Sequence, residues 1–251
     1  MFFGARLRLL QPARGHRFGH DAALLAASCP AGAGAILDAG SGVGAAGLAA
    51  ATRDPSARLT LLEIDPALAG LAAENLSRNG LAARGRAVAA DLLRASSRRA
   101  VGLAAESFDL VLTNPPFLDA DAARVSPDPA RARAHALAPA APGRDALADW
   151  LRACLACLAP GGGLRVIHRA DALARLLAAV QGRAGAIRLA PIRPRPGAPA
   201  TRVLLAAIKG SKAPLRLEEG VALTRPDGGP DPLAQALLEG RARFFEDASR
   251  P

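Results

Sequence analysis

The chain predicts an α/β fold built on a mainly parallel, doubly wound sheet, and three observations carry that reading. Short apolar runs alternate with alanine- and leucine-rich helical stretches from residue 35 onward. A glycine-rich turn, Ser41-Gly-Val-Gly-Ala-Ala-Gly47, follows the first of those runs. A proline-locked turn, Asn114-Pro-Pro-Phe117, ends a later one. In an open α/β sheet ligands bind outside the carboxyl ends of the strands, and both turns fall there.

Residues 1–34 precede the first strand. Arg6, Arg8, Arg14 and Arg17 come before any acid and form a basic arm, and residues 22–28 read as a helix capped by Asp21. Residues 35–40 are a short apolar strand carrying Asp38, and Gly40, Gly42 and Gly44 let the following backbone turn tightly and approach a ligand. A helix runs from residue 45 to 53. The leucine-rich second strand ends near Glu63, about twenty residues beyond the glycines, where a carboxylate accepts hydrogen bonds from ribose hydroxyls. Helix 66–79 opens on Pro66 and stops at Gly80. A third strand over 86–90 ends at Asp91, and a fourth spans 108–113.

Leu110, Val111 and Leu112 read as the buried end of that fourth strand. Pro115 and Pro116 lack N–H donors and cannot continue a ladder, and Pro115 biases Asn114 away from helical angles. The turn therefore holds an amide beside the Phe117 ring. The stretch after it mixes Asp119, Asp121, Arg124, Asp128, Arg131 and Arg133, and reads equally as a substrate lid or a surface insertion. A helix over 145–158 is followed by the turn Pro160-Gly-Gly-Gly163, a fifth strand over 164–168, a helix over 171–181, and strands near 187–192 and 202–208. The boundaries predicted are an arm and helix over 1–34, a principal domain over 35–210 and a C-terminal appendage over 211–251.

Composition narrows the partners. Hydrophobic residues make up 51% of the 251 and charged residues 22%, a globular balance. The net charge of +10 and pI near 11.2 favour an anionic partner, nucleic acid above all, although an arginine surplus on a solvated surface accounts for part of it. From Arg183 to Leu217 there are eight basic residues and no acid, which makes this segment the candidate nucleic-acid surface. Cys154 and Cys157 share one apolar helix face and read as buried small hydrophobes, in keeping with a reducing cytoplasm. His16 and His20 lack further ligands, so no metal is expected. The longest uncharged stretch, 22–37, is too short to span a bilayer, and no signal peptide is expected.

Two registers compete for the glycine turn. Gly42-x-Gly44-x-x-Gly47 fits a dinucleotide pattern and with it a nicotinamide oxidoreductase. The register Asp38-x-Gly40-x-Gly42-x-Gly44 puts an acid at the strand's end instead, which suits a cofactor with a cationic methionine end and no pyrophosphate. Asp38, the glycines, Glu63, Asp91 and Asn114–Phe117, in order at strand ends, are far more specific together than singly.

On those residues the chain resembles the Rossmann-type S-adenosylmethionine-dependent methyltransferases with an Asn-Pro-Pro-[Tyr/Phe] motif. It is more closely similar to the bacterial valine-tRNA (adenine-N6) methyltransferases, through residues 15–27, 36–44, 114–117, 126–135 and 202–210. The resemblance implies a class I sheet of about seven strands with one antiparallel strand near the C-terminal edge, the catalytic domain being 35–210. It implies S-adenosyl-L-methionine as cofactor, with Asp38, Gly40, Gly42 and Gly44 along its methionine part, Glu63 on the ribose and Asp91 at the adenine. Asn114, Pro115, Pro116 and Phe117 would form the catalytic turn, and tRNA the substrate. The same motif serves protein glutamine-N5 and rRNA guanine-N2 methylation, and an RNA-binding module could keep the fold without the chemistry.

Overall fold

The computed structural model describes residues 2–12, 19–116, 118–119, 136–137 and 145–245. Its strands are β1 (Ala35–Ala39), β2 (Arg58–Glu63), β3 (Gly85–Ala89), β4 (Phe108–Thr113), β5 (Leu158–Arg169), β6 (Ala184–Arg193), β7 (Arg202–Lys209), β8 (Arg216–Leu217) and β9 (Val221–Ala222). The helices are α1 (His20–Ala27), α2 (Ala45–Thr52), α3 (Pro66–Arg78), α4 (Ala95–Ala100), α5 (Ala146–Cys157), α6 (Leu173–Val180) and α7 (Pro232–Leu238). Two further short strands, Leu118–Asp119 and Ala136–Leu137, pair with each other in parallel.

The main sheet runs β8-β6-β7-β5-β4-β1-β2-β3, with β9 also paired to β6. Among the described residues β7 alone is antiparallel, lying between β5 and β6. The chain winds outward from β1 through β2 to β3, then returns to place β4 on the other side of β1. That reversal opens a crevice at the carboxyl ends of β1 and β4, where Ala39 stands opposite Thr113.

Side-chain alternation along the strands builds a core on each face. Ile36, Leu110, Leu112 and Leu204 join α1, α2 and α7 on one side. Leu37, Val111, Val166 and Leu205 join α5 and α6 on the other. Phe3 and Leu7, at the chain's start, belong to the first of these cores, as does Phe245. Residues 45–51 of α2 are all buried, and five alanines and Gly47 among them keep that helix close to the sheet.

Two local readings are corrected, and one helix has no counterpart in the sequence reading. Asp21 does not cap α1: Gly19 is the N-cap, and Asp21 sits in the first turn paired to Arg202 at 3.0 Å. Pro160-Gly-Gly-Gly163 is not a turn outside the sheet but part of β5, because a register shift opposite Phe108 and Leu110 absorbs the extra residues. The short helix α4, with no buried residue, carries no apolar signal in the sequence and goes unpredicted.

Candidate functional site

The glycine turn and the proline turn meet at the crevice. After β1 the amides of Gly40 and Ser41 donate to the Leu62 carbonyl of β2 at 2.9 and 3.0 Å, so the turn is pinned to the neighbouring strand. Gly40, Gly42 and Gly44 take φ of 73°, 55° and 88°, the left-handed region that glycine enters without strain. A Cβ at Gly40 would meet the Trp150 ring at 2.8 Å, and one at Gly44 would meet Leu61 at 2.7 Å. At Gly42 it would meet nothing within 4 Å. Gly42 is thus where a ligand has room against the backbone.

Two carboxylates hold this turn. Asp38, 2% exposed, accepts the Gly47 amide at 2.8 Å and so fixes the first turn of α2. Burial pushes its carboxyl up to about 7; the Gly47 N–H pulls the other way, and the charge of Glu63 adds to the rise. Glu63 accepts Gly42 N–H at 2.9 Å on one oxygen, and Ile64 and Asp65 N–H at 2.8 and 3.0 Å on the other. A carboxylate offers about four acceptor sites, so one remains for a ligand donor. Ile64, 66% exposed beside it, offers an apolar face. Beyond β3, Asp91 accepts the Leu93 amide at 2.8 Å and pairs with Arg94 at 3.3 Å.

Opposite, the end of β4 is tied down. The buried Thr113 hydroxyl donates to the Ala39 carbonyl at 2.9 Å and accepts from Trp150 Nε1 at 2.8 Å. Asn114 follows, and its Oδ1 is buried with no hydrogen-bond partner among the described residues. Pro115 behind it is buried and Pro116 half-buried. An unmet buried acceptor costs about 1–3 kcal/mol, which a ligand N–H would recover. Ser41 Oγ, in the glycine turn, is likewise buried without a partner. Phe117, the last residue of the motif, lies outside the described residues, as do Arg14, Arg17 and residues 126–135.

Residues 16–128 match the family model for the methyltransferase small domain. A predicted O-methyltransferase from Agrobacterium tumefaciens, known as a crystal structure, is 31% identical over 91% of this chain and 100% of its own, with a TM-score of 0.75. The chain belongs to this methyltransferase family. A tRNA1(Val) (adenine(37)-N6)-methyltransferase from a Flavobacteriaceae bacterium is 32% identical over 104 residues, 41% of this chain and 42% of that relative. A release factor glutamine methyltransferase from Cereibacter sphaeroides is 31% identical over 156 residues, 61% of this chain and 53% of the relative. The methyltransferase thus spans about half the length of these two curated relatives.

S-adenosyl-L-methionine is the donor named for a solved structure that shares this fold, described as a class I methyltransferase from Listeria monocytogenes, at 15% identity over 80% of this chain and with a TM-score of 0.53. The residues present fit it: an open Gly42, an unpartnered Ser41 hydroxyl and a spare acceptor on Glu63 line one side of the crevice. Gly47 does not separate the two registers: a Cβ there would lie 2.6 Å from Leu61 and 2.9 Å from Asp38, the close helix–strand packing that the third glycine of a dinucleotide pattern also supplies. Trp150 is the residue that sequence reasoning missed. It sits in α5, and only the fold brings it beside Gly40 and Thr113.

The methyltransferase's basic run is less free than its composition suggests. Arg188 pairs with Glu218 at 2.6 Å, Arg202 with Asp21 at 3.0 Å and Lys209 with Glu106 at 2.8 Å, while Arg193 donates to the Glu219 carbonyl at 3.1 Å. Arg183, Arg195, Lys212 and Arg216 are exposed. Among the described residues no cluster of metal ligands is present, and no helix is long and apolar enough to cross a membrane. Cys154 and Cys157 are buried free thiols whose pKa burial raises.

Proposed function

We propose that this methyltransferase transfers a methyl group to the exocyclic N6 amine of adenine in tRNA, next to the anticodon of a valine tRNA, in the cytoplasm. The observation that carries the reading is the unpartnered Asn114 Oδ1 at the end of β4, beside the glycine turn. An adenine amine is a weak nucleophile because its lone pair is delocalised into the ring. The Asn114 oxygen and the Pro115 carbonyl each accept one of its N–H groups, which fixes the amine and turns its lone pair out of conjugation. Positioning of this kind supplies much of the acceleration. The methylated nitrogen is strongly acidic and releases its proton to water, so no strong base is required.

S-adenosyl-L-methionine supplies the electrophilic methyl group. Glu63 takes its ribose, Asp91 its adenine, and Asp38 with Gly40, Gly42 and Gly44 shapes the cradle for its methionine part. Pro116 stiffens the turn, and Phe117 stacks on the target base, whose extrusion from an anticodon loop costs less than from a duplex. The exposed Arg183, Arg195, Lys212 and Arg216 contact tRNA phosphates.

A second reading, methylation of a glutamine amide in a release factor, is favoured by the similarity to release factor glutamine methyltransferases. A primary amide presents the same two N–H groups to Asn114 and Pro115. Incubation with labelled S-adenosylmethionine, total tRNA and purified release factor, followed by nucleoside and peptide digestion, separates the two. N6-methyladenosine in tRNA is the expected product. Label confined to a release-factor glutamine assigns the second reading instead.

A further inference from the structure

Asn75 lies in the last turn of α3, is 0% exposed, and uses both the oxygen and the nitrogen of its amide. Its Oδ1 accepts the Leu10 amide at 2.7 Å, and its Nδ2 donates to the Leu10 carbonyl at 2.9 Å and the Val43 carbonyl at 3.0 Å. One turn on, Asn79 repeats the pattern: Oδ1 accepts the Arg8 amide at 2.9 Å and Nδ2 donates to the Arg8 carbonyl at 3.1 Å. Four residues of helix advance about 6 Å and two residues of extended chain about 6.6 Å. The two amides therefore match alternate peptide groups of residues 8–10, as a neighbouring strand would. Val43 stands between Gly42, whose amide Glu63 holds, and Gly44, the N-cap of α2. A single buried side chain thus joins the N-terminal arm to the glycine turn.

We propose that Asn75 is a positioning residue for the methyl donor. Residues 8–10 form a strap on α3, and its seating and the set of the glycine turn are coupled through the Asn75 amide. Donor binding and strap docking then reinforce each other reciprocally. This rests on the reading of the glycine turn as the donor site.

Hydrogen exchange on the full chain, with and without saturating S-adenosylhomocysteine, tests the coupling alongside calorimetry of the same ligand. In the wild type the ligand should slow exchange of the residue 8–10 amides about tenfold, within the usual range of coupling between sites. Asn75→Asp keeps the acceptor but loses both donations; it should abolish that protection and weaken binding about tenfold. Asn79→Ala frees the Arg8 end of the strap but leaves Leu10 and Val43 held by Asn75, so it should speed exchange at Arg8 while the ligand's protection of Leu10 and the affinity, within about twofold, are kept. Wild-type amides that exchange at the same rate with and without bound ligand would overturn the proposal, and this arm decides alone if the Asn75 variant does not fold. Wild-type protein that does not bind the ligand at all would overturn the donor-site reading itself, and this inference with it.

Discussion

Trp150 Nε1 donates to Thr113 Oγ1 at 2.8 Å, and the same hydroxyl donates to the Ala39 carbonyl at 2.9 Å. One hydroxyl thereby joins α5, the last residue of β4 and the last residue of β1, directly beneath the two turns of the site. Thr113→Val leaves both the carbonyl and the indole N–H unmet in a buried place and should destabilise by about 1–3 kcal/mol. Trp150→Phe keeps the Thr113–Ala39 bond and should lose only about 0.5–1.5 kcal/mol. Urea unfolding of the two variants checks the order; a Trp150→Phe loss as large as that of Thr113→Val would contradict the hydroxyl's central place.

Two helical glycines should answer alanine with opposite signs. Gly70 is exposed in α3 with open space around it, so Gly70→Ala should stabilise by roughly 0.5–1 kcal/mol through helix propensity. Gly47 lies in α2 under Leu61 and Asp38, and Gly47→Ala should destabilise by about 1–3 kcal/mol through overpacking. Thermal unfolding of both variants reads the signs, and a stabilised Gly47→Ala would mean that α2 has slack against β2.

Two buried groups should oppose each other with pH. Burial holds the Asp38 carboxyl at about 7, above its ordinary 3.8, and the His168 imidazole at about 4, below its ordinary 6.5. Folded Asp38 keeps a proton that the unfolded chain has lost, so its contribution is complete below about 3.8 and is lost as pH rises through 7. His168 behaves oppositely: its contribution is present above about 6.5 and is lost as pH falls towards 4. Over the shared window the slopes cancel. Asp38→Asn should unmask stability that rises with pH, and His168→Gln stability that falls. Denaturation midpoints that run parallel to wild type in both variants would refute this.

The salt dependence of tRNA binding should sort the basic run. Removing the charge at Arg195, Lys212 or Arg216 should flatten the slope of log affinity against log salt by about 0.7–0.9 for each phosphate no longer neutralised. Arg202→Ala should leave that slope unchanged and lower stability, because its guanidinium is engaged with Asp21. Filter binding at several salt concentrations distinguishes them; unchanged slopes for Arg195, Lys212 and Arg216 would make the run an arginine-rich surface only.

The site's backbone is legible in the sequence where a residue type is demanded by local geometry. Glycines at 40, 42 and 44 announce a left-handed turn, and two prolines after Asn114 announce the end of β4, whatever packs around them. What depends on distant partners is not legible. Eight basic residues without an acid read as free charge, yet Asp21, Glu106 and Glu218 come from outside the run to pair with three of them. No motif or spacing singles out Trp150, Asn75 or Asn79. Only the folded chain sets the first beside Gly40 and the others against residues 8–10.

The most direct test of the account is single-turnover methylation of tRNA by Asn114→Ala at saturating S-adenosylmethionine. Asn114 offers one of two acceptors for the target amine, and losing a single preorganised partner should slow turnover by on the order of 10²–10³-fold. Cofactor affinity should stay at the wild-type value, because the glycine turn and Glu63 lie across the crevice from it. Methylation of tRNA by Asn114→Ala at the wild-type rate would contradict the account and leave the Asn-Pro-Pro turn as a structural corner.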